Sequence, residues 1–167
     1  MQCSKWGYMV KNEIDVRLRK MKKIEIYEVV DKDMLERCLD IRNKVFSIEK
    51  GVPKEIEVDG FDCLDESCRH FLIRYQNDDV GTIRCLCTSD DVVRIQRFCF
   101  LKGYRGLGLG RIVMEYIEDY YKNQRFATIE MDAKYEVCEF YEKCGYKKVS
   151  DVFMEVNIKH IKMIKEI

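Results

Sequence analysis

One proline and nine glycines in 167 residues leave no stretch that reads as a long linker or a low-complexity segment. Net charge is also missing: 30 basic side chains face 30 acidic ones, so no global field favours nucleic acid or an anionic membrane. No apolar run approaches the ~18 residues that span a bilayer, and the N-terminus lacks the continuous apolar core of a signal peptide. A cytoplasmic protein is therefore expected. Histidine is scarce, with only His70 and His160. Cysteine is not, but an odd count of nine fits poorly with a closed disulfide framework. Several cysteines, among them Cys85, Cys87 and Cys99, sit in apolar strand-like runs and read as reduced, buried small hydrophobes. Cys63, Cys68 and His70 have a spacing that touches on zinc, but no second ligand pair follows, so no metal is expected.

Apolar residues make up 47% of the chain, enough for one core, and its length suits one domain. The charge is unevenly placed: basic from Lys5 to Lys23, acidic from Glu49 to Glu66. Residues 1–23 read as an N-terminal extension, with Met21 an alternative start, and residues 24–167 as the domain. Ile24 to Val30 alternates as a first strand. Asp33 and Glu36 resemble a capping pair ahead of a helical stripe through Leu35, Leu39 and Phe46, which Gly51-Val52-Pro53 stops. Phe71–Tyr75, Val80–Thr88 and Val92–Phe100 then read as strands joined by turns at Asn77-Asp78-Asp79 and Ser89-Asp90-Asp91, an antiparallel meander. After it the period changes: helix Arg111–Lys122, strand Ala127–Met131, a short helix through Val137, Phe140, Tyr141 and Cys144, and a closing strand Val152–Ile158. Together these predict an α/β (α+β) domain, a mixed, mostly antiparallel sheet with helices on both faces.

Between a strand and a helix lies Arg105-Gly106-Leu107-Gly108-Leu109-Gly110-Arg111. Glycines let backbone approach a phosphate, and a helix start offers free N–H groups with the positive end of its dipole. Tight packing is the competing account of the same glycines. A dinucleotide fingerprint would need a βαβ unit and a following acid, whereas this turn follows an antiparallel meander. A phosphate-binding P-loop would need Gly-Lys-Ser/Thr, which is absent.

Arg105-x-x-Gly108-x-Gly110 is similar to the signature of the GNAT acetyltransferase superfamily. Arg97-Phe98-Cys99-Phe100 resembles its cofactor-pairing strand, and Phe140-Tyr141-Glu142-Lys143-Cys144-Gly145-Tyr146 its last helix. The front half, including Ile41-Arg42, Val45-Phe46, Glu57-x-Asp59-x-x-Asp62, His70 and Gly81-Thr82-x-Arg84, resembles the branch called YjcF- or ElaA-like, and so does the tail from Val156 to Met163. The resemblance implies a GNAT fold and acetyl-CoA as co-substrate. It places the pyrophosphate around Gly106, Gly108 and Gly110, with charge from Arg105 and Arg111, and the pantetheine along the backbone of Phe98 and Phe100.

By the same resemblance Tyr141 is the acid that protonates the leaving thiolate, although it also lies on an apolar stripe and could be a core aromatic. Many relatives carry a carboxylate where this chain has Gln96 and Arg97, so the proton leaves through another group, with Glu57, Asp59 and Asp132 as candidates, or through a water chain. Lys134 stands where many relatives have an Asn that contacts the cofactor. His70 and His160 read first as structural. Arg84 and Arg97 are expected on neighbouring strands, either paired with the acidic loop or holding a phosphate on the substrate, with Asp59 as a further substrate contact. The Asp132 and Phe140-Tyr141 element is similar to glucosamine 6-phosphate N-acetyltransferases, which makes that amino sugar the leading acceptor. A polyamine, an amino acid or a protein amine, or a domain that binds acyl-CoA without turnover, are the alternatives. The expected partner is a small-molecule amine, and a homodimer is admissible.

Overall fold

The computed structural model describes residues 23–167, so the N-terminal extension and Met21 lie outside the described residues. One sheet organises the domain. Strand β1 (Ile24–Glu28) leads to helix α1 (Lys32–Arg42), which runs on as a π-helical turn over Asn43–Glu49. A one-turn helix, α2 (Lys54–Glu57), precedes the meander β2 (Cys68–Tyr75), β3 (Asp78–Cys87) and β4 (Val92–Phe100). Helix α3 (Leu109–Asn123), strand β5 (Thr128–Lys134), helix α4 (Cys138–Lys143) and strands β6 (Lys147–Lys148), β7 (Phe153–Glu155) and β8 (Ile158–Glu166) complete the chain. The order is β1-β2-β3-β4-β5-β8-β6, with β7 also on β8. Neighbours are antiparallel except β4 and β5, so the sheet is mixed and mostly antiparallel.

Helices cover both faces. Ile112, Val113, Met114 and Ile117 of α3, with Tyr141 of α4, pack on one face against Ile83, Val93, Ile129 and Met131. Leu35, Cys38 and Ile41 of α1 pack on the other, against Leu72 and Cys99. The cap of α1 is Asp31, not Asp33: its carboxylate accepts from the Met34 amide at 2.8 Å, and Asp33 sits in the first turn. The β2–β3 turn is centred on Gln76 and Asn77, both at positive φ, one residue earlier than the acidic triplet suggests.

The expected closing strand is a correction. Val156 and Asn157 have φ of 47° and 61° and form a hairpin turn, so Val152–Ile158 is split. The strand that closes against β5 is β8, pairing Thr128 to Lys134 with Glu166 to His160. All eight cysteines among the described residues are free thiols. Burial raises Cys38 to about 11 and Cys99 to about 12, so both stay protonated and inert. No helix among the described residues is long and apolar enough to cross a membrane.

Gly81 shows how tightly β3 and β4 meet. It stands opposite Phe100 in the register. A Cβ there would lie 2.8 Å from the Cys99 carbonyl oxygen and 2.8 Å from the Phe100 ring. Gly81→Ala is expected to destabilise the fold by about 1–3 kcal/mol through overpacking. Urea denaturation checks this, and an unchanged midpoint would mean that β3 and β4 can separate without cost.

Candidate functional site

Strands β4 and β5 are in register only from Val92–Thr128 to Arg94–Glu130. Beyond that point β4 keeps β3 on one side and, among the described residues, has no strand on the other. A bulge accompanies the parting. Thr82 pairs with Cys99 but Arg84 pairs with Gln96, so β4 carries an extra residue, and Arg97 takes a left-handed φ of 52°. The bulge flips the parity of the strand. Val93 and Ile95 face the α3 side before it, Phe98 and Phe100 after it. Leu101 donates to the Val80 carbonyl at 2.8 Å on β3. By strand alternation Phe100 and Phe98 turn their own N–H and C=O toward the open side. The Phe100 carbonyl is taken there by Arg105 Nε at 2.9 Å.

The glycine-rich turn follows directly. Gly106 and Gly108 both have φ of 74°, and Gly108 is the N-cap of the 15-residue helix α3, with no side chain capping it. The first-turn N–H groups and the dipole are thus presented without a side-chain acceptor. Gly110 serves a different purpose: it lies inside the helix, and a Cβ would meet the Phe140 ring at 3.1 Å. Arg105 straps the turn down, its guanidinium forked onto Glu49 at 2.6 and 2.8 Å. Arg111 is exposed and bonds Glu115 on its own helix at 3.1 Å.

Tyr141 and Asp132 flank the opening from opposite faces of the sheet. Tyr141 is buried in an aromatic file, 5.0 Å between centroids from Phe140, which in turn lies 6.5 Å from Phe98. Its hydroxyl has no hydrogen-bond partner among the described residues, and burial pushes its pKa up, so the phenol keeps its proton. On β5, Met131 and Ala133 enter the core while Glu130, Asp132 and Lys134 face the α1 side. The Asp132 Oδ1 is buried without a partner, and Oδ2 lies 3.9 Å from Arg94. Arg94 also donates to Glu130 at 2.8 Å, and Lys162 stands 3.7 Å from the same carboxylate. Sequence reasoning missed Arg94 and Glu130, because only the register reveals that they are opposite each other. Lys134 lies 6.0 Å from the Phe46 ring, and burial lowers its pKa.

The acidic segment is clamped onto this face of β3 and β4. Arg42, 1% exposed, donates to Glu57 at 2.6 Å and to Asp62 at 2.5 and 3.0 Å. Arg84 donates to Asp59 at 2.6 and 2.8 Å, to Asp62 at 2.9 Å, and to Gln96 at 2.9 and 3.2 Å. Arg97 reaches Glu57 at 3.3 Å and Asp59 at 3.2 Å. Two of the expected site residues are held within the clamp. Glu57, a base candidate from sequence, is 3% exposed, and its carboxylate faces the guanidiniums of Arg42 and Arg97 rather than the opening. Arg84, a candidate phosphate holder, has its donors on the loop and on Gln96, the arrangement that the ion-pair alternative describes. Asp59 is one-third exposed at the rim. His70 meets the Phe61 carbonyl at 3.0 Å and His160 that of Ile158 at 3.0 Å, both as structural contacts. Among the described residues no three His, Cys, Asp or Glu side chains group as a metal site.

Residues 47–167 match the model of the acetyltransferase (GNAT) domain. The chain is 37% identical over 133 residues to the uncharacterized protein YyaT of Bacillus subtilis, covering 80% of this chain and 89% of that one. It is 28% identical to the uncharacterized N-acetyltransferase YjcF of the same organism, over 81% of this chain and 95% of that one. Among solved structures Escherichia coli ElaA superposes with a TM-score of 0.74 at 24% identity, over 86% of this chain and 99% of that one.

The clamp has a pH signature. Burial alone would raise Asp62, but hydrogen bonds from Arg42 and the Asp59 amide hold it at about 2, against an ordinary 3.8. Its folded pKa is depressed, so the stability it contributes is present above 3.8 and is lost as pH falls toward 2. Asp62→Asn is expected to lower stability at pH 7 and to flatten the acid limb between pH 4 and 2, read as Tm against pH. An acid limb identical to that of the parent would show that the clamp does not depend on this charge.

Proposed function

The chain belongs to the GNAT acetyltransferase family, and on that premise we propose that it transfers the acetyl group of acetyl-CoA to a primary amine, which attacks the thioester carbonyl directly. The parting of β4 and β5 beside an uncapped helix start carries this reading. The open side of β4 offers the N–H and C=O of Phe98 and the N–H of Phe100 as a strand edge, which suits the amide-bearing pantetheine arm. The start of α3 at Gly108 suits the pyrophosphate. Arg105 contributes by holding the turn, and Gly110 by letting Phe140 close on the helix.

The chemistry divides between the two faces. Asp132, with one buried oxygen free of partners, orients the ammonium and accepts its proton, directly or through water. Tyr141 keeps its phenol protonated until the C–S bond breaks and then donates to the thiolate. The acceptor's identity turns on which charges the site leaves available. Glucosamine 6-phosphate needs a cation for its phosphate; with Arg84 engaged, that reading depends on Arg97, whose side chain is 28% exposed. A polyamine, an amino acid or a protein amine needs no such cation. A domain that only binds acyl-CoA would show affinity without release of free thiol.

Two variants separate binding from chemistry. Gly108→Ala puts a Cβ into a left-handed residue at a cost of roughly 1–2 kcal/mol, and is expected to weaken acetyl-CoA binding by calorimetry while the protein stays folded. Tyr141→Phe is expected to keep that affinity and lose about 10²–10⁴ in kcat, read as thiol release with an amine panel. Wild-type turnover in Tyr141→Phe would return this residue to the core, and unchanged affinity in Gly108→Ala would remove the turn from the cofactor site.

A further inference from the structure

We propose that the acceptor amine is carried on an apolar body, such as an aryl or branched alkyl group, that seats on the outer face of residues 54–64. This rests on the acetyltransferase reading and names the substrate class for the same site. The segment is inverted relative to an ordinary surface loop. The carboxylates of Glu57, Asp59 and Asp62 turn inward onto Arg42, Arg84 and Arg97. The apolar side chains around them are partly exposed: Ile56 47%, Val58 37%, Leu64 46%, and Phe61 45%, its ring 5.6 Å from the Arg84 guanidinium. A free loop of this composition would fold its apolar groups inward and solvate its acids. Here three guanidiniums hold it the other way and keep apolar side chains displayed on a fixed backbone.

The patch adjoins the reacting centre. Arg97 donates to the Glu57 carbonyl at 3.1 Å and to the Ile56 carbonyl at 3.4 Å, which ties this stretch to the bulge of β4, where β5 has already parted from it. Ile56 and Val58 therefore border the opening on the face that Asp132 also occupies. Beside Arg94 and Lys134, carboxylate oxygens remain there for a cation. Three arginines and three carboxylates cancel within the clamp, Asp59 keeps a third of its side chain at the rim, and Asp132 Oδ1 is buried with no partner. An ammonium at Asp132 with an apolar body over Ile56 and Val58 satisfies both features. A hydroxyl-rich phosphorylated amino sugar brings the ammonium but no apolar body for Ile56 and Val58.

The test compares 2-phenylethylamine with ethanolamine, which place a phenyl and a hydroxyl on the same two-carbon amine, at saturating acetyl-CoA with thiol release as readout. The expected result is a kcat/KM at least about tenfold higher for 2-phenylethylamine. The double variant Ile56→Ser, Val58→Ser changes exposed positions and is expected to raise KM for 2-phenylethylamine about tenfold, with KM for ethanolamine and affinity for acetyl-CoA unchanged. Equal kcat/KM for the two amines, faster turnover of glucosamine 6-phosphate than of either, or an unchanged KM in the variant would overturn the inference and leave the acetyltransferase reading standing. A variant that changes sedimentation rather than KM would assign the patch to a second copy of the chain and overturn it too. Acetyl-CoA binding without thiol release from any amine would sink the acetyltransferase reading, and this inference with it.

Discussion

β4 and β5 are the one parallel pair in the sheet, and they hold together for only three residue pairs. The rest of the site follows from how that pairing ends. The last pair, Arg94 and Glu130, is also an ion pair, so the vertex of the opening is fixed by charge as well as by backbone. Three residues later on β4 comes the bulge at Arg97, which reverses the strand's parity and turns the open edge at Phe98 and Phe100 toward the gap. Two residues later on β5 comes Asp132. Leaving strand edges unpaired is costly unless something takes their hydrogen bonds. An amide-bearing ligand in the gap would do so.

The second constraint is the buried clamp. Charges on Arg42, Glu57, Asp62 and Arg84 are almost fully removed from water, which is tolerable only because each is paired and hydrogen-bonded. Such clusters contribute little net stability compared with an apolar core, but they tolerate one arrangement and few others. Here that arrangement joins α1, the acidic segment, β3 and the bulge of β4. The clamp therefore fixes the wall of the acceptor side relative to the opening, and it neutralises the arginines that would otherwise make that side anionophilic.

Much of this was legible in the residues. The change of period after Phe100, the glycine turn and the two helical stripes carry the α/β class and the order of elements, because burial writes itself into periodicity. The β8 strand was not legible: Lys159, Lys162 and Lys165 interrupt its apolar residues, and its buried positions at His160, Ile161 and Met163 follow no clean alternation. Val156 at positive φ hid the turn before it, since a β-branched residue rarely marks one. Within the site, residue types were readable and partners were not. Glu57 and Arg84 looked like chemistry because they are charged, yet what they do depends on which strand lies opposite. Arg94 and Glu130 carry no signal in the sequence for the same reason: their pairing exists only in the register.

The central claim is that the gap between β4 and β5, with the turn beyond it, receives the thioester co-substrate. Hydrogen–deuterium exchange with and without acetyl-CoA tests it at the backbone itself. The account predicts slower exchange confined to the open half of β4, residues 96–100, and to the turn and first helical residues, 105–112, with β1 and β2 unaffected. Protection elsewhere at saturating acetyl-CoA, with those two stretches unchanged, would contradict it.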